Sequence, residues 1–278
     1  MSDLSRISRR TLLMAGGALA LGGRTALAAG SNVLYQGRTI VTGQRPETRI
    51  PGMKLCLAQA LVRVSGDPRL AGHPRIATDQ QTPEAAVKHY AYRDLYAFRP
   101  IKDEQGTRDR PYEMTVDYDP AKIDAMLAGM GSKPWLAERP RLVMFIAVKH
   151  IASTFILTSM VDAGDLMRES FADASWRYAM EVVIPSDTVL SKAGITFDNL
   201  AGLPLDRLES LVDHKVGQIP LAGTLSWSRE LLAWTAEWKL PALGREHRWA
   251  IAGVNFDAAF RNAVGGAAQI LSGNGDTA

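Results

Sequence analysis

The sequence predicts a mixed α+β fold: a small N-terminal α+β unit, then a sheet with a buried first strand, an antiparallel C-terminal meander and a closing helix. Three observations carry this reading. From Arg141 to Val148 the chain is apolar at every position after the first, the pattern of a strand covered on both faces. Gln218–Trp227, Leu231–Leu240 and Trp249–Val254 are strand-like segments separated by turn-forming residues. From Asp257 to about Leu271 a helical stripe of Phe260, Val264 and Ala268 continues from Phe256.

The other elements follow in order. Asn32–Val41 reads as a strand, and Pro46–Ile50 leads into a helix from about Pro51 to Val64 with Leu57, Leu61 and Val64 on one face. Ser65-Gly66-Asp67-Pro68 stops it. Pro83 opens a short helix that passes into a strand over His89–Phe98, expected to pair antiparallel with Tyr112–Tyr118. Their connection, Arg99 to Arg110, holds seven charged residues and reads as a solvated loop. Asp119 precedes Pro120 as an N-cap should, and a helix runs from there to about Met130. Asp162–Arg177 reads as a helix and Ala179–Ile184 as a strand. These elements divide the chain into residues 1–28, 29–133 (N-terminal α+β domain) and 134–272 (C-terminal α/β domain), with a disordered Gly-rich tail at 273–278.

The chain has 278 residues, 46% hydrophobic and 22% charged, an ordinary globular composition long enough to bury a core. It holds no uncharged apolar run of about 18 residues, the length needed to span a bilayer. One cysteine, Cys56, excludes an intramolecular disulfide and Cys-pair metal or redox motifs, and its apolar helical setting predicts a buried, inert thiol. Residues 1–28 hold four of the 32 basic and one of the 29 acidic residues, so the remainder balances at 28 of each. A neutral mature chain has no electrostatic footprint for nucleic acid.

Residues 1–28 predict export. Arg9 and Arg10 are adjacent, a weakly apolar Leu/Ala/Gly stretch follows to Leu21, and Ala26-Leu27-Ala28 supplies a small-x-small cleavage site before Ala29. This is the order of a twin-arginine signal, and Arg24 between apolar stretch and cleavage site suits that route. The expected partners in transit are the twin-arginine translocase and signal peptidase, and the expected destination is the periplasm.

No phosphate-binding loop, dinucleotide glycine fingerprint, His-Glu-x-x-His, Gly-x-Ser-x-Gly or Ser-x-x-Lys occurs. The five histidines are scattered singly, and no metal or other cofactor is expected. Asp162, Asp165 and Glu169, spaced by three and four, would share one helix face able to hold a cation or proton. An acidic first helical turn accounts for the first two without any chemistry. Trp227, Trp234 and Trp238 form an aromatic row joined by Trp249, with Leu232, Trp234, Ala236, Trp238 and Leu240 on one strand face. Such indoles stack on sugars or a partner's apolar patch, or else pack beneath the closing helix, which is the favoured reading.

Ala60-Leu61-Val62-Arg63-Val64-Ser65-Gly66, Tyr90 and Tyr92, Trp135 with Arg139-Pro140, and Trp234-Thr-Ala-Glu-Trp238-Lys-Leu240 stand in an order and spacing that resembles domain of unknown function 2066, a family of bacterial envelope proteins. The likeness spans roughly Val33 to Leu271 and keeps Pro185 and Asp187. Trp176-Arg177-Tyr178 departs from the family's preferred Arg-Gly turn. The resemblance implies an exported protein and carries over no catalytic residue. The expected function is therefore non-enzymatic binding of an envelope protein partner, and the alternative is a periplasmic enzyme or small-ligand binder for a metal or glycan.

Overall fold

The computed structural model describes residues 33–97, 110–159 and 164–277. Arg9, Arg10, Ala28, Ala29, Asp162 and most of the Arg99–Arg110 connection lie outside the described residues.

Strand β1 (Gln36–Thr42) leads to helix α1 (Pro46–Ser65), which starts five residues before the expected Pro51. Pro46 sits in the first turn, where a missing N–H costs nothing, and Glu47 beside it favours the positive end of the helix dipole. Pro51 is accommodated inside, close enough to the exposed N-terminus that the carbonyl it leaves unbonded meets water. Met53, Cys56, Leu57, Ala60, Leu61 and Val64 recur at helical spacing and are all buried. Burial pushes the Cys56 thiol up to about 12. Gly66 ends the helix at φ 73°, its N–H bonded to the Val62 carbonyl, in a left-handed conformation that favours glycine.

Short helical turns at Pro68–Gly72, Pro74–Asp79 (α2) and Pro83–Ala86 lead to β2 (Val87–Asp94) and β3 (Pro111–Tyr118). β2 and β3 pair antiparallel as expected, with Tyr90 opposite Val116 and Tyr92 opposite Met114. β1 adds antiparallel on the other side of β3, giving the order β1-β3-β2. Met114, Val116 and Tyr118 face α1, and the Tyr118 hydroxyl donates to the Met53 carbonyl at 3.0 Å. Asp119 caps α3 (Pro120–Gly129) by accepting from the Ala121 N–H. Asp117 accepts from Gln36 on the sheet's outer face.

The second sheet is built on β4 (Arg141–His150). β5 (Ser153–Ile156) returns antiparallel along its last residues, and β6 (Val182–Val183) pairs parallel with its first. β6 is two residues long rather than the expected six, because Ala179 turns the chain in a left-handed conformation directly after α4 (Asp165–Tyr178). α5 (Asp187–Lys192), α6 (Phe197–Leu200) and α7 (Leu205–Glu209) cross to β7 (Gln218–Ser228), parallel to β4. β8 (Ala233–Ala242) and β9 (Arg245–Val254) complete the antiparallel meander, and α8 (Phe256–Leu271) closes the chain. The main order is β5-β4-β7-β8-β9.

The unbroken apolar character of β4 has a direct structural cause. Leu142, Met144, Ile146 and Val148 pack under α4 and α8, while Val143, Phe145 and Ala147 meet Leu190, Leu200, Leu205 and Leu208 of the small helices. The first of these clusters continues through Trp135 and Leu61 to Met114, so both sheets share it. Lys239 of β8 donates to the Leu203 and Ala201 carbonyls behind α6, and burial pulls its amine down.

The tail, expected to be disordered, makes hydrogen bonds to the body of the protein as far as Asp276. Asn274 donates to the Ser65 carbonyl at 3.0 Å, and Arg69 to the Asn274 carbonyl at 2.6 Å. Asp276 accepts from Arg245 and lies 2.7 Å from His247 Nδ1, whose other ring nitrogen lies 3.1 Å from the Ala242 carbonyl. Both ring nitrogens thus lie beside oxygen atoms of distant or turn residues, which fixes the ring in place. The glycines permit the turns, and these polar side chains hold them.

Candidate functional site

Parallel pairing of β4 with β7, Lys149 opposite Ser226, brings the β4–β5 and β7–β8 turns to one end of the larger sheet. Trp227 and Trp234 face each other across the β7–β8 hairpin, their rings 5.6 Å apart at 80°. His150 stacks on Trp234 at 5.2 Å and 23° and meets Trp227 edge-on at 5.8 Å. The pairing of β8 with β9 shifts register between Trp234 and Thr235 beside Gly253, a bulge that ends the ladder just before Phe256. Trp234, His150, Phe155, Met167 and Phe256 thereby line an open, largely apolar pocket of about 500 Å³, with Ser153 and Asp165 among its polar groups.

The surroundings of this pocket are apolar as well. Ile151 at the β4–β5 turn, Leu166 in the first turn of α4, and Leu231 and Leu232 at the β7–β8 turn are all exposed, Leu232 to 75%. Ile151 and Leu232 both adopt φ 46°. Left-handed backbone is unfavourable for an L-residue by roughly 1–2 kcal/mol, and a β-branched residue there is an outlier. Glycine or asparagine would relieve both turns, so these positions hold an apolar side chain in water at the expense of local stability. Leu243, in the β8–β9 turn at the opposite end, shares the left-handed conformation and is also exposed.

The expected site residues fall differently. Trp238 is buried against Phe260, ring centroids 6.4 Å apart. Trp234 has its face covered by His150, and Trp227 stands perpendicular to it. The three indoles therefore present no common open face. Leu232, expected on the strand face with them, is in the turn, because the hairpin ladder begins with Ser228 opposite Ala233, one residue later. Asp165 and Glu169 are exposed on α4, and Asp165 pairs with Arg168, which also donates to the Thr158 carbonyl. Among the described residues no three His, Cys, Asp or Glu lie close enough to hold a metal ion. His150, Ile151, Phe155 and Phe256 were not legible as one site. The available signal was the apolar pair Leu231-Leu232 between two strands, where turn residues are normally polar.

Residues 28–136 match the model of a domain of unknown function (DUF8605). This corrects the resemblance to domain of unknown function 2066. The shared strings behind that likeness are a buried helix ending in a glycine cap, Ala60–Gly66, and an alternating buried strand, Trp234–Leu240, and both serve many α+β cores. The matched stretch runs from ahead of β1 to Leu136 and ends before every residue of the aromatic pocket. No curated protein and no solved structure matches the chain.

Proposed function

We propose that this chain is an exported protein of the cell envelope that works by binding a partner protein through the apolar end of its larger sheet. The observation that supports this reading best is the pair of turn tips, Ile151 and Leu232, which display apolar side chains in left-handed backbone beside an open aromatic pocket. The partner is one that offers an apolar or aromatic side chain to the pocket and covers Leu166, Leu231 and Leu232. Each Leu or Ile so covered contributes on the order of 1.5–3 kcal/mol of apolar burial, against the ordering costs of association.

The test places a photo-crosslinking residue at Leu231 in cells and identifies the adduct by mass spectrometry, in the parent chain and in Ile151→Gly and Leu232→Asn. The expected outcome is a discrete protein adduct that both variants lose while their melting temperatures stay level or rise. Persistence of the adduct in both variants, or a fall in their stability, would contradict the reading. A second reading, a periplasmic small-ligand binder or enzyme, rests on the pocket's volume, which lies within the range of small-molecule sites. A low-molecular-mass ligand retained by the purified chain and displaced by Trp234→Ala would favour it.

A further inference from the structure

Away from the pocket, β1, α1 and α4 bring together a cluster of arginines around one indole. The Arg38 guanidinium lies 4.0 Å from the Trp176 ring centre and that of Arg63 lies 4.6 Å from it. Asp173 and Arg177 stand one turn before and one residue after Trp176 on α4. The Asp173 carboxylate reaches Arg38 and Arg177, each at 3.8 Å, beyond hydrogen-bonding range. Arg139 packs on Trp135 and donates to the carbonyls of Arg63, Val64, Trp135 and Tyr178, so it closes the C-terminal ends of α1 and α4 together. Both of its terminal nitrogens are engaged by those carbonyls.

Arg63 differs. It is 96% buried, only 4% of its surface being exposed, and its Nε and Nη1 have no hydrogen-bond acceptor among the described residues; Arg177 Nε has none among them either. Burial, followed by the charge of Arg38, brings the Arg63 guanidinium down to about 10, and burial with the charge of Arg63 brings Arg139 down to about 9. Both remain cations at neutral pH. Stacking on an indole offsets only part of the cost of taking a guanidinium out of water, and among the described residues the loosely placed Asp173 carboxylate pairs with Arg38 and Arg177 but not with Arg63.

We infer that Arg38 and Arg63, set on Trp176, together with Arg177 beside Asp173 on α4, form a binding site for a small oxyanion carrying two charges, of the phosphate or sulfate class. Arg63 is the buried floor. Arg38 and Arg177, whose side chains are about one-third exposed, flank the approach from solvent. A planar guanidinium cluster suits tetrahedral oxyanions through its several fixed N–H donors. Asp173 is the internal competitor, since its carboxylate occupies the positive field that the anion would enter. The recess of Arg63 favours a small soluble anion over a flat bilayer surface.

The test is thermal melting of the purified full chain in sodium phosphate, sodium sulfate and sodium chloride at matched ionic strength, with indole fluorescence as a second readout. Phosphate or sulfate at about five times its Kd should raise the melting temperature by about 2–4 °C over chloride. Arg63→Met should abolish that rise. Arg38→Gln should weaken binding several-fold, and Asp173→Asn should tighten it, which a merely structural role for these partly exposed residues would not produce. Equal melting in all three salts, or a parental response from both Arg38→Gln and Asp173→Asn, would overturn the assignment whatever the folding of Arg63→Met. Sedimentation with phosphatidylglycerol vesicles that Arg38→Gln abolishes, without any response to soluble phosphate, would overturn it in favour of a lipid headgroup.

Discussion

Trp238 and Gly223 face each other across β7 and β8, and their contact makes a quantitative test of the core. Trp238 is 2% exposed, and truncation of a buried Trp to Ala costs about 3–5 kcal/mol. Its indole Nε1 is buried without an acceptor among the described residues, so removing the ring also removes an unpaired donor that is unfavourable by roughly 1–3 kcal/mol. Trp238→Ala should therefore fall at the low end, about 3 kcal/mol, and Trp238→Phe should cost less than about 2 kcal/mol. A Cβ at residue 223 would lie 2.1 Å from Trp238 Cε3 and 2.6 Å from the Glu237 carbonyl oxygen. Gly223→Ala is thus destabilising alone and less so once Trp238 is Ala, while the backbone contact keeps part of its cost. The expected coupling in the double-mutant cycle is about 1–2 kcal/mol. Urea unfolding followed by far-ultraviolet circular dichroism measures all four chains. Strict additivity, or Trp238→Ala within 1 kcal/mol of the parent, would refute the packing argument.

Hydrogen bonds from Arg245 and then His247 hold the Asp276 carboxyl below the usual carboxylate range. Its contribution is therefore present above the unfolded value of about 4 and lost as pH falls through the lower folded value; melts of the parent and Asp276→Asn should differ at pH 7 and converge in acid, and a constant difference would contradict the tail contacts. Cys56, buried and raised to about 12, should resist thiol reagents at pH 8 in the native chain and react once urea unfolds it. Replacing Asp165 and Glu169 by Asn and Gln should change stability by no more than about 1 kcal/mol, and elemental analysis should find no stoichiometric metal; an ion-dependent rise in melting temperature lost in the double variant would revive the carboxylate face as a site. For the proposed export, Arg9→Lys with Arg10→Lys should leave precursor in the cytoplasm on fractionation, and undiminished periplasmic recovery would count against the twin-arginine route.

Elements whose signal is local were legible in the sequence. The apolar run of β4, the alternation in β8 and the stripe of α8 each follow from which positions must avoid water, and periodicity alone reports that. Asp119 before Pro120 and Gly66 after Val64 marked helix ends, because caps act within one turn. Register and neighbours were decided only by tertiary structure. The pairing of β1 with β3 had no sequence signal, Leu232 falls in a turn rather than on the Trp234 face, and the tail is held by Arg69, Arg245 and His247 from distant segments. The same holds for both sites. His150 meets Trp234 because β4 runs parallel to β7, and Arg38 and Arg63 both reach Trp176 because β1, α1 and α4 pack together. Local sequence determines which face of an element avoids water; only the packed chain determines which faces meet, because contact between residues tens or hundreds of positions apart leaves no short-range pattern.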